Sequence, residues 1–212
     1  MSARWPRCTP SKLPMVSAHR PRVACNAPCV TTMETVKILN YSVFMKTLEE
    51  QMAFYAAYHQ DARNKATHFI GVPAIMLSLF IPLAWLRLEL GGVAISAAML
   101  FAAAVLVYYF LLDVPLALVM LLITGILVLA GERIAGQGAA RGWVWFGVLF
   151  VGGWILQLVG HVFEGRKPAL ADNLFQIFVA PIFLCAELAF ALGYKPELHA
   201  DMQQRALRMR QK

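Results

Sequence analysis

Between Phe69 and Gly131 the chain runs for 63 residues with only three side chains ionised at neutral pH, Arg87, Glu89 and Asp113. In a soluble domain about one residue in four is charged, so a stretch this bare cannot clothe itself for water and belongs in lipid. The full chain of 212 residues agrees, with 59% hydrophobic and 15% charged residues. That length suits one compact helical bundle and leaves too few residues for a second domain of ordinary size. The expected fold class is all-α, a polytopic membrane helical bundle.

A net charge of +7 invites a nucleic-acid reading until it is divided along the chain. Arg4, Arg7, Lys12, Arg20 and Arg22 put +5 before Met33 with no acid among them, and the remaining 14 bases face 12 acids. No basic face of the kind phosphate tracking needs is left over, so nucleic acid is excluded as a partner. Cys8, Cys25, Cys29 and Cys185 are too few and too scattered for a disulfide framework. Residues 1–32 are rich in Pro and Arg and lack helical periodicity. They read as a disordered extension, with Met33 expected to begin the functional protein. A membrane-embedded catalytic domain is expected over 33–198 and a basic polar tail over 199–212.

From Glu34 the apolar positions Tyr41, Phe44, Leu48, Met52 and Tyr55 recur every three or four residues, which predicts an amphipathic helix whose stripe continues to Tyr58 and His59. Apolar stretches follow at 69–86, 91–112, 114–130, 142–163 and 174–194. The first four approach or exceed the ~17 to 25 residues of a transmembrane helix. The fifth, interrupted by Pro181 and Glu187, is expected to span or to be re-entrant. Ala94, Ala98 and Ala102 form a small-residue seam for a neighbouring helix. Asp113, just before Pro115, is expected to cap the second member of a tight helical hairpin.

Four spans return the chain to the side that holds residues 34–68, here called side A. If the fifth stretch turns back, side A holds nine Lys and Arg near the spans and side B three; if it spans, the split is four against eight. The positive-inside rule favours the first arrangement with side A cytoplasmic. On either count His59, His68 and His161 reach side A. Histidines beside spans are functional candidates, and neutral imidazole is the commonest side-chain metal ligand. Positions 59 and 68 lie on opposite faces of a continuous helix, so meeting requires a break, which Asp61 or Asn64 can supply as an N-cap. His161, Glu164 and Gln157 share one face of the fourth span. Taken singly, an interfacial histidine is more often a packing residue than a ligand, Glu164 can pair with Arg166 or Lys167, and His19 and His199 lie in polar tails. No nucleotide loop, HExxH, GxSxG or CxxC occurs.

The segments YHQDARNKATHFIGVP (58–73) and GHVFEGRKPALADNLFQ (160–176) resemble the two signature blocks of the integral-membrane family typified by the fungal 2-hydroxy fatty acid dioxygenase. The resemblance extends from about Leu48 to Tyr194. It implies an iron(II)-dependent enzyme that shortens a long-chain 2-hydroxy fatty acid by one carbon, using dioxygen and releasing carbon dioxide. His59, His68 and His161 carry over as iron ligands. Gln60 stands where the fungal form has a second histidine, so a ligand scheme using that imidazole does not transfer. Such chemistry suits Fe(II) held by imidazole and carboxylate. It gives Glu164 a catalytic role, as ligand or as the group orienting His161, and lets Arg166 or Lys167 steer the substrate carboxylate while membrane lipid surrounds the alkyl chain. The implied location is the inner membrane of a bacterium or the endoplasmic reticulum of a eukaryote. A membrane scaffold or assembly factor, or a small transporter, are the competing readings; the transporter would need more ionisable groups deep in the spans.

Overall fold

The computed structural model describes residues 47–211; the extension at 1–32 and the start of the amphipathic helix lie outside the described residues. Those residues form an all-α membrane bundle of seven helices: α1 (Leu48–Ala56), α2 (Ala62–Trp85), α3 (Ala97–Leu112), α4 (Val114–Ala135), α5 (Ala139–Glu164), α6 (Gln176–Ala191) and α7 (Pro196–Arg210). Only α2, α4 and α5 are long and apolar enough to cross a bilayer. At 16 residues each, α3 and α6 reach about 24 Å against a hydrocarbon core of about 30 Å.

The shortening of α3 has a local cause. Gly91 and Gly92 both adopt positive φ, 58° and 83°, the geometry of a two-residue hairpin turn. Arg87–Leu90 (β1) and Val93–Ser96 (β2) therefore pair antiparallel, Leu90 opposite Val93. The expected second span loses its first residues to this hairpin, and Ser96 caps α3 by accepting from Met99 N at 3.2 Å. Ala94 falls in β2 and is exposed, so of the expected alanine seam only Ala98 and Ala102 are buried, against Phe80 and Val128. Asp113 behaves as expected, ending α3 and capping α4 through Leu116 N at 3.0 Å.

Each span divides into a packed and a lipid-facing stripe. On α4 Leu116, Met120, Thr124 and Val128 are buried at intervals of four, while Leu118, Leu122, Ile126 and Leu129 are exposed. The closest helix pair is α2 with α5. A Cβ on Gly153 would lie 2.7 Å from Ile75 Cγ1 and 3.0 Å from Gly71 O, and one on Gly160 would lie 2.5 Å from Asn64 Oδ1. Small residues of this kind let backbones approach in lipid, where dispersion and hydrogen bonds drive association.

Both ends of α6 are tied to side A. Gln176 Nε2 donates to Gln51 Oε1 of α1 at 3.3 Å, Glu187 pairs with Lys65 at the start of α2 at 2.7 Å, and beyond the helix Lys195 pairs with Asp113 at 2.5 Å. The end contacts of α6 are thus with elements of side A, and the carboxylate of Glu187 is paired with Lys65. Most of residues 199–212, read as a polar tail, lie in α7, which packs on α1 with Met202 and Ala206 fully buried. The apolar period of four in Leu198, Met202 and Ala206 is there in the sequence, but the intervening charges dilute it.

Candidate metal centre

The site begins with a broken helix. α1 ends at Ala56, and Asp61 starts α2 by accepting from Arg63 N at 2.8 Å, so the backbone reverses over residues 57–61 and His59 comes back over His68. Tyr55 fixes His59 in two ways: its ring stacks on the imidazole at a centroid distance of 3.9 Å, and its carbonyl lies 2.8 Å from His59 Nδ1. His68 Nδ1 lies 2.9 Å from Asn64 O. A carbonyl can only accept, so each histidine carries its proton on Nδ1 and turns a bare Nε2 inward. These two nitrogens are 3.2 Å apart.

His161 completes the group from the end of α5, with ring centroids 4.9 Å from His59 and 5.1 Å from His68. Gly160 makes this possible, because a side chain there would strike Asn64 and His68. The ligand-capable atoms of the three residues all lie within 4.8 Å of one another, and the residues are 2%, 1% and 6% exposed. Burial, reinforced by the neighbouring His68, holds the pKa of His59 well below 6.5, so it is neutral near pH 7. Two facing lone pairs have no proton between them, and His161 Nδ1 is buried without a hydrogen-bond partner. Such a donor set could hold a divalent cation, since ligand histidines must be neutral and their other ring N–H is normally held by a carbonyl or carboxylate.

Glu164 stands beside the triad but is turned toward the loop. One carboxylate oxygen accepts from Gln60 N (2.9 Å), Asp61 N (2.8 Å) and Asn64 Nδ2 (3.1 Å), and the other is paired with Arg210 of α7. Arg210 also donates to Ala57 O at 3.3 Å. The carboxylate thus binds the loop carrying His59 to the helix carrying His161. Arg166 donates to Arg210 O at 3.1 Å, and Lys167 pairs with Asp172 at 2.5 Å. Asp172 in turn accepts from Tyr58 OH at 2.6 Å.

Beside the histidines the bundle holds a cavity of about 190 Å³, lined by the triad, by mostly apolar side chains of α2, α3 and α6, and by Thr124 of α4. Pro168, Ala169 and Leu170 form part of its wall, and Arg166 and Lys167 precede them in the chain without lining it. Gln157, one turn from His161, lines the cavity and keeps its Nε2 buried without a partner. Arg210 went unnoticed in the sequence because it lies 46 residues from Glu164 in a stretch dominated by charge. The buried period of α7 was the available signal.

Residues 45–192 match the sequence model of the Mpo1-like family, described as 2-hydroxy-palmitic acid dioxygenase Mpo1-like. The chain is also 36% identical over 173 residues to the 2-hydroxy-palmitic acid dioxygenase MPO1 of Saccharomyces cerevisiae, across 76% of this chain and 94% of that protein. No solved structure matches it.

Proposed function

The chain belongs to the Mpo1-like family, and from that premise we propose that it is an iron(II)-dependent dioxygenase that shortens long-chain 2-hydroxy fatty acids by one carbon. The balanced reaction turns one 2-hydroxy acid and one dioxygen into the acid one carbon shorter, carbon dioxide and water. C1 leaves as carbon dioxide, and C2 passes from alcohol to carboxylate. Dioxygen accepts all four electrons, so no separate reductant is consumed.

The observation that carries this reading is the inward-facing triad at the head of an apolar cavity. His59, His68 and His161 would hold the metal, and three protein ligands leave positions for other groups. Fe(II), when bound, supplies redox activation of dioxygen and Lewis-acid polarisation of a chelating 2-hydroxy carboxylate. Everything else falls to the chain. Tyr55 O and Asn64 O hold the two imidazoles in the tautomer that offers Nε2. Glu164 acts by holding His59 and His161 in one frame. Gln157 has an amide free to hydrogen-bond an oxygen of the substrate head. Arg166 and Lys167 attract the carboxylate outside the cavity, and the apolar walls exclude water. With α7 on side A, eight Lys and Arg among the described residues lie there against three on side B, which supports a cytoplasmic side A.

The test is metal analysis of protein purified without oxygen, followed by oxygen-dependent turnover. About one iron per chain and consumption of a long-chain 2-hydroxy acid, with the matching unhydroxylated acid left untouched, is expected. Protein that takes up no iron, or whose turnover survives removal of all three histidines, would return the scaffold reading to the front.

A further inference from the structure

The cavity is apolar and reaches well into the bundle. His59, His68 and His161 line one end, while Phe80, Phe101, Ala102 and Thr124 line the other. The depth follows from α2, which lines the cavity at both ends: His68 and Phe80 are twelve residues apart, or about 18 Å at 1.5 Å of rise per residue. At that end Ala102 is buried in a cluster with Phe80 and Val128, and the Phe80 and Phe101 rings are 6.5 Å apart. Thr124 is buried there with its hydroxyl unpaired, and no charged side chain lines the cavity anywhere.

From this geometry we infer that the cavity is a ruler for the alkyl chain and that Phe80, Phe101, Ala102 and Thr124 are its stop. The inference rests on the reading of the triad as the place where the hydroxy-acid head is held. An extended alkyl chain advances about 1.25 Å per carbon for C–C bonds of ~1.5 Å at tetrahedral angles. A depth of about 18 Å therefore takes about fourteen carbons beyond the two that carry the carboxylate and the hydroxyl. A shorter chain forgoes burial of its missing methylenes, at ~0.8 kcal/mol each. A longer chain meets the two phenylalanine rings. Ala102 is the position where added bulk most directly raises the stop, and Phe101, partly open to lipid, is the one whose truncation lowers it.

The experiment uses the iron-loaded full chain in nanodiscs and a mixed series of saturated 2-hydroxy acids of graded length, with the products quantified together. Ala102→Phe should move the optimum to shorter acids and lower the ratio of long- to short-chain consumption by at least about tenfold, the equivalent of two methylenes denied burial. Phe101→Ala should move it to longer acids. A parallel displacement of a fluorescent long-chain fatty acid from metal-free protein by the same series reads the ruler without turnover. An unchanged length profile in a folded Ala102→Phe protein would overturn the inference. Should that variant fail to fold, an unchanged profile in Phe101→Ala would do the same. A length shift in displacement, with no hydroxy acid consumed by the parent, would leave the ruler standing and defeat the proposed oxidation.

Discussion

Replacing Arg210 by Met keeps the aliphatic stem and removes only the guanidinium, which isolates the ion pair that α7 brings to the site. The Glu164 side chain is 1% exposed and that of Arg210 25% exposed. Breaking a fully buried pair from one side costs about 3–5 kcal/mol because a charge is left behind. Here three neutral donors stay on the carboxylate and water can reach the vacated space, so the loss should be smaller, about 2–3 kcal/mol. Released from Arg210, the loop at 57–61 also loses the bond to Ala57 O. Since His59 rides on that loop, metal affinity should fall about 10- to 100-fold, the usual cost of disturbing the residues that orient a ligand. Unfolding in detergent gives the first number and Co(II) titration followed by visible absorption gives the second. Arg205→Met is the control, because Arg205 on the same helix makes only an exposed pair with Asp201, worth about 0.3–0.5 kcal/mol. Adding Glu164→Gln to Arg210→Met should recover part of the stability, since no buried charge remains while an oxygen can still accept from Gln60 and Asp61. A folded Arg210→Met protein with parental metal affinity, or a double variant worse than the sum of the singles, would refute the idea that this pair braces His59.

Alanine at His59, His68 or His161 should each reduce bound iron at least about tenfold, read by metal analysis of the purified variants. Glu164→Gln alone should lower metal affinity about as much as Arg210→Met and lose turnover, because the triad remains while its brace is weakened; complete loss of iron would make Glu164 a ligand. Gly160→Ala forces a methyl group against Asn64 and Thr67 and should cost about 1–3 kcal/mol together with metal affinity, measured by thermal unfolding with and without Co(II). Gln157→Leu removes an amide whose Nε2 has no partner in the folded chain, so stability should hold or rise while KM for the hydroxy acid increases about tenfold, the effect of one lost hydrogen bond to a charged group.

The meeting of His59 and His68 was legible because Asp61, a capping residue, sits between two histidines that a continuous helix would hold apart. The hairpin at Asp113 was legible for a similar reason, a cap followed by a proline. Hydropathy alone could not place the start of α3, since Val93–Ser96 is as apolar as the helix behind it and only the Gly91-Gly92 pair marks the turn. The tight α2–α5 seam was hidden because its glycines are spread from Gly142 to Gly160 of one helix and answered by Gly71 in another. The bond from Arg210 to Glu164 depends on a tertiary arrangement in which α7 folds back on α1, and no spacing rule reaches that far. The triad could thus be proposed from local signals, whereas its bracing was a property of the assembled bundle.

A helix fastened at both ends to the elements of side A makes the two ends of the bundle unequal. Gln176, Glu187 and Lys195 tie α6 and the turn beyond it to α1, α2 and Asp113, while its first two turns wall the cavity. The wall therefore hangs from the end that carries His59, His68 and His161, and a change in how α6 is fastened reaches the triad and the cavity together.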